Sequence, residues 1–521
     1  MRPSREPDGP GRTPPALGEV QARDRRVTVG LAAVGLLTLC ALAFAALRDE
    51  ALPEWRRYQR EYQAILKRKA TDDLGRKLAR EYTSELRQIV VPDLNVVDRC
   101  VACHNGIDDP RMTDEPQPHR AHSGDHLQWH EPGQFGCTVC HGGLGRATTW
   151  EGAKAQEHWD SPLLPVGLTQ ASCGRCHSAE EVAERGGAAY AEGRRLFVAK
   201  GCQSCHKLDG RGGGNGPALD AEGLKLPGQF AMTHVRGPRT PAQWLLEHFE
   251  DPQRIVPASQ MKCPQLGVEE ADALTVYMLS LGARSLPPRV VTAQKHLAVY
   301  QGRTPAEATG PELFARYCST CHDTGEYGRY DKFFARFIPA VRGPTYVQTA
   351  SAKYVEANIR DGRPGTLMAA FGGAAGGLTD AEIARLRAHL LSGPIPAEAR
   401  LPAEALLLAR ASSAPGDAAR GSALFAFQCV GCHGAQGEGV LAPALGNPVF
   451  QKTATDGFIL TTIAHGRRDT AMPGFLAPDR GGLGEADVRD LVSHVRTLKP
   501  AAPGGAQATL AQASGGQGSK P

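Results

Sequence analysis

The sequence is short of several features that mark common classes of protein function. Aromatic residues make up only 6% of the 521 residues and charged residues 22%, so each folded domain has a modest side-chain core. The formal net charge of +4 excludes a strongly basic nucleic-acid-binding protein. The sequence has no phosphate-binding loop, nucleophile–base pair or hydride-cofactor fingerprint, and the glycine-rich residues 212–216 do not follow a predicted strand. Chemistry of those kinds is therefore not indicated.

Long apolar runs are also scarce, and residues 27–47 form the only one. This run has no charge and is long enough to span a bilayer as a helix. Arg23, Arg25 and Arg26 precede it, which predicts a cytoplasmic N-terminus and an exported remainder. We expect a disordered cytoplasmic tail (1–26), a single-pass anchor (27–47) in a bacterial cytoplasmic membrane, and periplasmic domains. A cleaved signal peptide, with a small-residue site at Ala43 and Ala45, is the alternative.

Cysteine, by contrast, is abundant in one pattern. Six copies of Cys-x-x-Cys-His use twelve of the fourteen cysteines. This is the attachment motif of c-type haem, in which two thiols bond to the porphyrin and the histidine binds the iron. Paired zinc knuckles would need a second pair of ligands per site, and disulfides would need no histidine. We therefore predict six covalently bound haem c groups.

The predicted attachment residues fall into six sets. The cysteine pairs are Cys100 and Cys103, Cys137 and Cys140, Cys173 and Cys176, Cys202 and Cys205, Cys318 and Cys321, and Cys429 and Cys432. The proximal histidines are His104, His141, His177, His206, His322 and His433. Cys40, in the apolar run, and Cys263 lie outside the motifs; both are expected to fill apolar space, with a metal or redox role as the alternative for Cys263.

The N-terminal half of the exported part shows little regular periodicity beyond its first segment. Residues 48–97 carry apolar residues at helical spacing and are predicted to form a helical stalk, either solvated or packed on a membrane partner. Residues 98–182 hold the first three motifs, only 37 and 36 residues apart and separated by turn-forming residues. We expect this trihaem segment to have little secondary structure and to use its haems as its core.

After residue 185 the sequence repeats approximately three times. Each repeat has a predicted helix that ends in a haem motif, then a loop with proline, a methionine, and a terminal helix. The repeats are predicted as cytochrome-sized domains at 186–288, 300–395 and 414–499, followed by a disordered tail at 500–521. The predicted fold class is mainly α, with one transmembrane helix, a haem-organised segment and three tandem helical domains.

This order of features resembles the class I cytochrome c domain, three times over. The resemblance implies that a proline after each motif (Pro217, Pro344 and Pro443) orients the histidine and that the first and last helices cross. It also implies that Met261, Met368 and Met472 are the sixth ligands of the iron, with Met232 as a rival of Met261. Two departures stand out: an insertion at 325–340 moves Pro344 away from its histidine, and Met261 lacks the proline that follows Met472.

The first three haems have no comparable methionine except Met112, but five histidines lie among them. We predict bis-histidine ligation by His122, His130 and His158, with His119 and His126 as substitutes. The motif segments at 98–110, 135–143 and 158–165 also resemble multihaem cytochromes that accompany bacterial quinol-oxidising membrane complexes, of the bc-type and alternative complex III groups. That resemblance implies an electron donor of this kind.

Together these features predict a membrane-anchored electron conduit rather than an enzyme. Electrons would pass from a quinol-oxidising complex through the bis-histidine haems and then the histidine–methionine haems, because methionine ligation raises the reduction potential. A soluble cytochrome c or a terminal oxidase would accept them. Two alternatives stay open: a cytochrome c subunit of a haem–copper oxidase, and a catalytic reductase with one open-site haem.

Overall fold

The computed structural model describes residues 17–51, 53–155, 161–282, 286–292, 308–334, 336–411, 413–439, 441–476 and 482–500. The chain divides into two compact units, Met1–Ala155 and Gln156–Pro521. The predicted trihaem segment 98–182 is therefore split, since its first two motifs lie in the first unit and its third motif in the second. His158 and most of the residues between the first and second predicted domains lie outside the described residues.

The first unit begins with helix α1 (Leu17–Ala51), which contains the predicted apolar run. Within its segment Gln21–Arg48, an 18-residue window has a mean hydropathy of 2.3, and none of that window is buried inside the protein. At about 1.5 Å per residue, such a helix is long enough to cross a bilayer. Length and composition thus agree with the predicted span, and the retention of the anchor stays a prediction.

The rest of the first unit consists of short elements around the first two motifs. The helices are α2 (Glu54–Lys69), α3 (Asp73–Glu81), α4 (His126–Trp129), α5 (Pro132–Phe135), α6 (Thr138–His141) and α7 (Trp150–Lys154), and an antiparallel hairpin joins β1 (Ile89–Val91) to β2 (Val96–Asp98). Single 3₁₀ turns lie at Pro92–Leu94, Cys100–Ala102 and Pro110–Met112. The scarcity of regular structure after residue 98 agrees with the prediction for this segment.

The predicted helical stalk at 48–97 differs from the structure in two ways. Helix ends at Glu81, and residues 89–98 form the β-hairpin. Helix α2 is also not solvated all round, because Trp55, Tyr62 and Ile65 are buried. The fully buried Gln59 donates from Nε2 to the carbonyl of Ala102, inside the first haem motif. The amphipathic stripe therefore packs on the loop that carries the first attachment site.

The second unit contains the three predicted repeats. The first comprises α8 (Ala179–Val182), α9 (Ala188–Ala199), α10 (Pro241–Glu250), α11 (Pro252–Ile255) and α12 (Val268–Ser280). The second comprises α13 (Gly310–Tyr317), α14 (Ser319–His322), β3 (Arg329–Asp331), β4 (Arg336–Ile338), α15 (Pro344–Thr349), α16 (Ala352–Asp361), α17 (Gly373–Gly376) and α18 (Asp380–Leu390). The third comprises α20 (Ala418–Gln428), α21 (Val430–His433), α22 (Pro448–Thr453), α23 (Asp456–His465) and α24 (Glu485–Val495), preceded by α19 (Ala403–Leu408).

In each repeat the first and last long helices cross at a glycine, as the resemblance implies. A Cβ atom at Gly193 would lie 2.0 Å from the carbonyl oxygen of Ala273, and one at Gly421 would lie 2.0 Å from that of Asp490. A Cβ atom at Gly310 would lie 2.6 Å from the carbonyl oxygen of Arg385. Any side chain at these positions would push the helices apart, so glycine sets the close crossing.

Two apolar cores hold the second unit together. One combines the first repeat with the segment around the third motif, including Leu168, Ala171 and Val182. The 3₁₀ helix Val166–Arg175 lies against α12 there, and a Cβ at Gly174 would lie 2.6 Å from the side chain of Ser280. The other core runs without a break through the second and third repeats, from Leu313 to Val495. The third attachment site is thus built on the first cytochrome-like domain.

Candidate haem-binding sites

All six Cys-x-x-Cys-His motifs fold into one tight turn. In each, the backbone N–H of the histidine donates to the carbonyl of the first cysteine at 2.8–3.0 Å, as from His104 to Cys100 and from His141 to Cys137. The turn brings two thiols and an imidazole onto one short segment. All twelve motif cysteines are free thiols, so none of them forms a disulfide in the structure.

The imidazoles of the three repeats are held by proline carbonyls. The Nδ1 atoms of His206, His322 and His433 lie 2.8 Å, 3.2 Å and 3.0 Å from the carbonyl oxygens of Pro217, Pro339 and Pro443. Because a carbonyl only accepts, Nδ1 must carry the proton, which leaves Nε2 as the free ligating atom. His104 in the first unit also forms a hydrogen bond with the backbone of Pro118.

Pro217 and Pro443 occupy the predicted orienting position, but the prediction for Pro344 is wrong. Strands β3 and β4 lie inside the 325–340 insertion and bring Pro339 back to His322. Pro344 instead occupies the first turn of α15, where its missing N–H costs nothing. Two prolines, Pro339 and Pro344, follow this motif. Spacing alone did not show which of them the hairpin would bring next to His322.

These histidines are also kept neutral. Burial lowers the pKa of His104, His206, His322 and His433 below the ordinary value, in spite of the proline carbonyls that raise it. A neutral imidazole is the form that binds a metal ion. A Cβ at Gly216 would lie 2.5 Å from the His206 ring, so glycine there allows the chain to pass close beside the imidazole.

The three predicted methionine ligands share one local conformation. The backbone N–H groups of Met261, Met368 and Met472 each donate, at 3.1 Å, to a hydroxyl two residues earlier: Ser259, Thr366 and Thr470. Each methionine also packs against the same apolar core as the first cysteine of its own motif. Met112 differs from them, because it is fully buried beneath α2 with Tyr62 and Ile65. Met232 lies in the 3₁₀ turn Met232–His234, and its N–H is not held by a hydroxyl in this way.

Sequence reasoning missed one histidine in the first repeat. His248 on α10 stacks flat on Trp244, with ring centres 4.4 Å apart, and its Nδ1 is buried without a hydrogen-bond partner. Burial lowers the pKa of His248 to about 4, and His206 and Lys225 contribute to the same shift. The signal available in the sequence was its position thirteen residues before Met261, within the loop that supplies the sixth ligand.

The first two attachment sites adjoin each other. The thiols of Cys100 and Cys137 lie within hydrogen-bonding reach, which with burial raises the pKa of the Cys137 thiol. The ring centres of His141 and His122 are 6.2 Å apart. At this separation both imidazoles would be within reach of one iron, if haem is bound at the second motif.

The other predicted distal histidines have mixed positions. His130 contacts Phe135, just before the second motif, with ring centres 5.2 Å apart, and His126 lies beside His122. His119 is buried and its Nε2 lies 3.2 Å from Glu61, on the Pro118 side of His104. At the third site, Nδ1 of His177 lies 3.4 Å from Glu181, so a carboxylate takes the place of the proline carbonyl.

These residues fit haem c. Each motif offers two free thiols and an imidazole on one turn, and His206, His322 and His433 present Nε2 because Nδ1 is engaged. The unpartnered nitrogen of His248 beside His206 is a polar atom that a bound haem group would cover. Among the described residues, no group of three or more His, Cys, Asp or Glu side chains could hold a metal ion. Fold and sites together define a c-type cytochrome.

Comparison with known proteins agrees with this class. The family described as cytochrome c matches residues 190–282 and 418–499, and that described as cytochrome c oxidase, cbb3-type, subunit III matches residues 305–390. Cytochrome c-554(547) of Halothiobacillus neapolitanus is 34% identical over 96 residues, which are 16% of this chain and 99% of the relative. The chain belongs to the cytochrome c family, whose members transfer electrons through covalently bound haem c.

Proposed function

We propose that the chain is a membrane-anchored hexahaem electron conduit between a quinol-oxidising membrane complex and a soluble cytochrome c or terminal oxidase. Haem c supplies a one-electron change between ferrous and ferric iron. The protein spaces the sites, sets their potentials and excludes side reactions. The observation that carries the proposal is the direct contact between attachment sites that lie far apart in sequence.

Two such contacts join consecutive sites. In the first unit, the thiols of Cys100 and Cys137 adjoin each other. In the second, the hydroxyl of Thr320, inside the fifth motif, donates to the carbonyls of Lys200 and Gly201 at 3.0 Å and 2.8 Å. Gly201 immediately precedes the fourth motif, so these two attachment turns face each other. A protein that stored or sensed haem would not need its sites paired in this way.

The first and second repeats are held in this arrangement by a buried ion pair. Arg211, in the loop after the fourth motif, bonds Glu382 on α18 at 2.6 Å, and its Nε donates to the Tyr317 hydroxyl at 3.3 Å. Both charged side chains are almost fully buried. Burying a charge pair adds little net stability but fixes geometry, because loss of either partner leaves an uncompensated charge. Fixed geometry is what electron exchange between neighbouring haems requires.

The third repeat provides the exit. The residues between the cysteines of the fourth motif, Gln203 and Ser204, are buried. At the sixth motif the corresponding Gly431 and the following Cys432 are exposed, and Phe427 just before it is 87% exposed. An open apolar face at an attachment turn is suited to a transient redox partner. Electrons would leave there, from a histidine–methionine haem of high potential.

The proposal for the electron donor depends on features of the N-terminal residues. The apolar α1 places the first unit near a membrane if it is retained, and the His141–His122 pair supports bis-histidine ligation of low potential. A quinol-oxidising complex of the bc-type or alternative complex III group is the donor that fits this position and potential.

A second candidate has its own support. The match of residues 305–390 to the cbb3-type oxidase subunit family suggests a cytochrome c subunit of a haem–copper oxidase. The paired sites of the first unit favour the conduit. They add haems on the donor side, and a cytochrome c subunit that delivers electrons to an oxidase does not need them.

Gentle detergent extraction of native membranes, followed by capture on a C-terminal tag and mass spectrometry, tests the proposal. Quinol-oxidising subunits in the captured material would support the conduit and identify the donor. Copper-oxidase subunits in their place would support the second candidate. If the chain comes out alone and gives high-spin signals that shift with nitrite or cyanide, both are wrong and a catalytic reductase is favoured.

A further inference from the structure

Two arginines occupy equivalent positions on the methionine loops of the second and third repeats. Arg363 lies five residues before Met368, and Arg467 lies five residues before Met472. In each loop the arginine N–H donates to the carbonyl of the methionine, at 2.8 Å and 2.9 Å. The two loops share this backbone hydrogen bond. Arg363 and Arg467 therefore hold equivalent positions relative to Met368 and Met472, the predicted axial ligands.

Both guanidinium groups lie at the junction of the two repeats. Arg467 stacks over Tyr346 of the second repeat at 5.2 Å and over Phe458 of the third at 5.0 Å. Arg363 stacks over Phe450 of the third repeat at 5.7 Å and donates to the carbonyl of Ala444 there at 2.7 Å. The two side chains therefore cross the junction in opposite directions.

The repeat relation extends to the rings around them. Tyr346 and Phe450 both follow the proline that begins a helix by two residues, and Tyr354 and Phe458 both follow a capping hydroxyl by three. The two halves differ at two tyrosine hydroxyls, because Tyr346 and Tyr354 correspond to Phe450 and Phe458. Arg363 donates to the Tyr354 hydroxyl at 3.3 Å, whereas Arg467 faces the bare ring of Phe458.

The charges at this junction do not balance. Among the described residues, no carboxylate pairs with Arg363 or Arg467, although most other partly buried arginines of the second unit have one, such as Arg211 with Glu382. The guanidinium groups of Arg363 and Arg467 are close enough to repel each other. Among the described residues, no acceptor forms a hydrogen bond with the Arg467 guanidinium. Placing two like charges among four aromatic rings is costly unless an anion joins them.

We propose that Arg363 and Arg467 bind the propionate carboxylates of the haems attached at Cys318/Cys321 and Cys429/Cys432. This inference rests on the proposed function, because it needs haem at both sites. A guanidinium fork matches a carboxylate with two parallel hydrogen bonds, and the aromatic rings hold the fork in place. The pair would tie both cofactors to one cationic junction shared by the two repeats.

A cation held near a haem favours the ferrous form, because reduction removes one positive charge from the iron. Loss of either arginine should therefore lower the potential of at least one of these two haems. At a fixed ambient potential the ferrous-to-ferric ratio should fall roughly tenfold for an affected haem, as expected for removing one partly buried charge at close range. The four other haems should be unaffected.

The test uses the full-length, haem-loaded protein in detergent. Arg467→Gln, Arg363→Gln and the double variant are compared with wild type and with Arg360→Gln. Arg360 is a matched control, since it lies in the same repeat but pairs on the surface with the exposed Asp380. The readouts are haem content per chain, equilibrium redox titration, and the carboxylate bands of the reduced-minus-oxidised infrared difference spectrum.

We expect full haem content, a downward shift of one component in each single variant and of two in the double variant, and altered carboxylate bands in all three. The control should match wild type. Unchanged potentials and bands in a fully loaded double variant would overturn the inference and leave the conduit intact. Lack of haem on Cys318 or Cys429 in wild type would instead defeat the proposed function. If Arg467→Gln does not fold, Arg467→Lys keeps the charge but not the fork, and unchanged carboxylate bands there would count against the inference.

Discussion

The two compact units support their haem sites in opposite ways. Among the described residues of the first unit, the buried apolar cluster comprises Tyr62, Ile65 and Met112, and the helices after Glu81 have at most five residues each. In the second, long helices and two extensive apolar cores surround the attachment turns. We therefore expect the first unit to depend on bound haem for its core, whereas the second unit already has an apolar side-chain core.

The largest expected effect comes from preventing haem attachment in each unit. Cys137→Ala with Cys140→Ala should unfold residues 98–155 completely, because little side-chain core remains to hold them. The matched pair Cys429→Ala with Cys432→Ala should leave α20, α23 and α24 in the core shared with the second repeat. Limited proteolysis with mass spectrometry measures both outcomes. Equal protection of the two regions would remove the contrast between them.

The next effect concerns a fully buried carboxylate of the first unit that accepts several hydrogen bonds. Asp98 is fully buried at the end of β2, and its carboxylate accepts from the N–H and the hydroxyl of Thr138 at 2.8 Å each, and from the N–H of Cys137. Asp98→Asn should destabilise the unit by about 2–4 kcal/mol, because a charged acceptor of three donors is lost.

The exposed Asp73, which pairs with Arg76 on the surface of α3, provides the control. Asp73→Asn should change stability by less than about 0.5 kcal/mol. Hydrogen exchange of residues 96–104 and 137–141 is the measurement. If both variants give the same small change, Asp98 does not join the two attachment turns.

A smaller effect separates repeats within the second unit. Met472→Ala should open the sixth position of one iron, so the reduced protein should bind one equivalent of carbon monoxide per chain. Met261→Ala should bind much less, because the buried imidazole of His248 has an unpartnered nitrogen beside the first repeat's haem site.

Optical titration with carbon monoxide distinguishes these cases. Equal binding by both variants would show that His248 does not reach the iron. Binding by neither would show that Met472 is not a ligand. The double change Met261→Ala with His248→Leu is the matched control, and it should restore binding to one equivalent.

Sequence reasoning succeeded where a feature depends on short-range spacing. The apolar helix, the six attachment turns and the helices of the repeats follow from local patterns that need no knowledge of distant residues, whereas the crossing of those helices was implied by the family resemblance. Met368 and Met472 could be singled out because few methionines exist and each falls at the same place in its repeat. Their shared hydroxyl contact gives this placement a structural basis, and ligation itself stays a prediction.

Long-range choices could not be made in that way. Pro339 was passed over for Pro344 because only the β3–β4 hairpin shows which proline returns to His322. His248 was overlooked because a single histidine on a helix carries no signal until its stacking and burial are known. The third motif was grouped with the first two motifs, which precede it in the sequence. In the structure, the apolar residues on either side of the third motif pack on α9 and α12.

The smallest effect is a pH dependence in the side-chain core of the first repeat of the second unit. Glu247 on α10 is buried, which alone would raise its pKa, but it accepts from the N–H groups of Arg236 and Gly237 and from the Arg254 guanidinium at 2.9–3.1 Å. These donors hold the pKa of Glu247 at about 2, below the ordinary 4.5.

A carboxyl with a depressed folded pKa contributes stability above its unfolded value and loses it as the pH falls. The first repeat should therefore lose about 1–2 kcal/mol between pH 4.5 and 2 from this group. Glu247→Gln should be less stable at pH 7 by a similar amount and should lack that component of the acid loss, whereas the exposed Glu269→Gln should behave as wild type. Hydrogen exchange of α10 across this pH range provides the measurement. A wild-type acid profile in Glu247→Gln would mean that the first repeat, like the first unit, relies on its haem rather than on side-chain contacts.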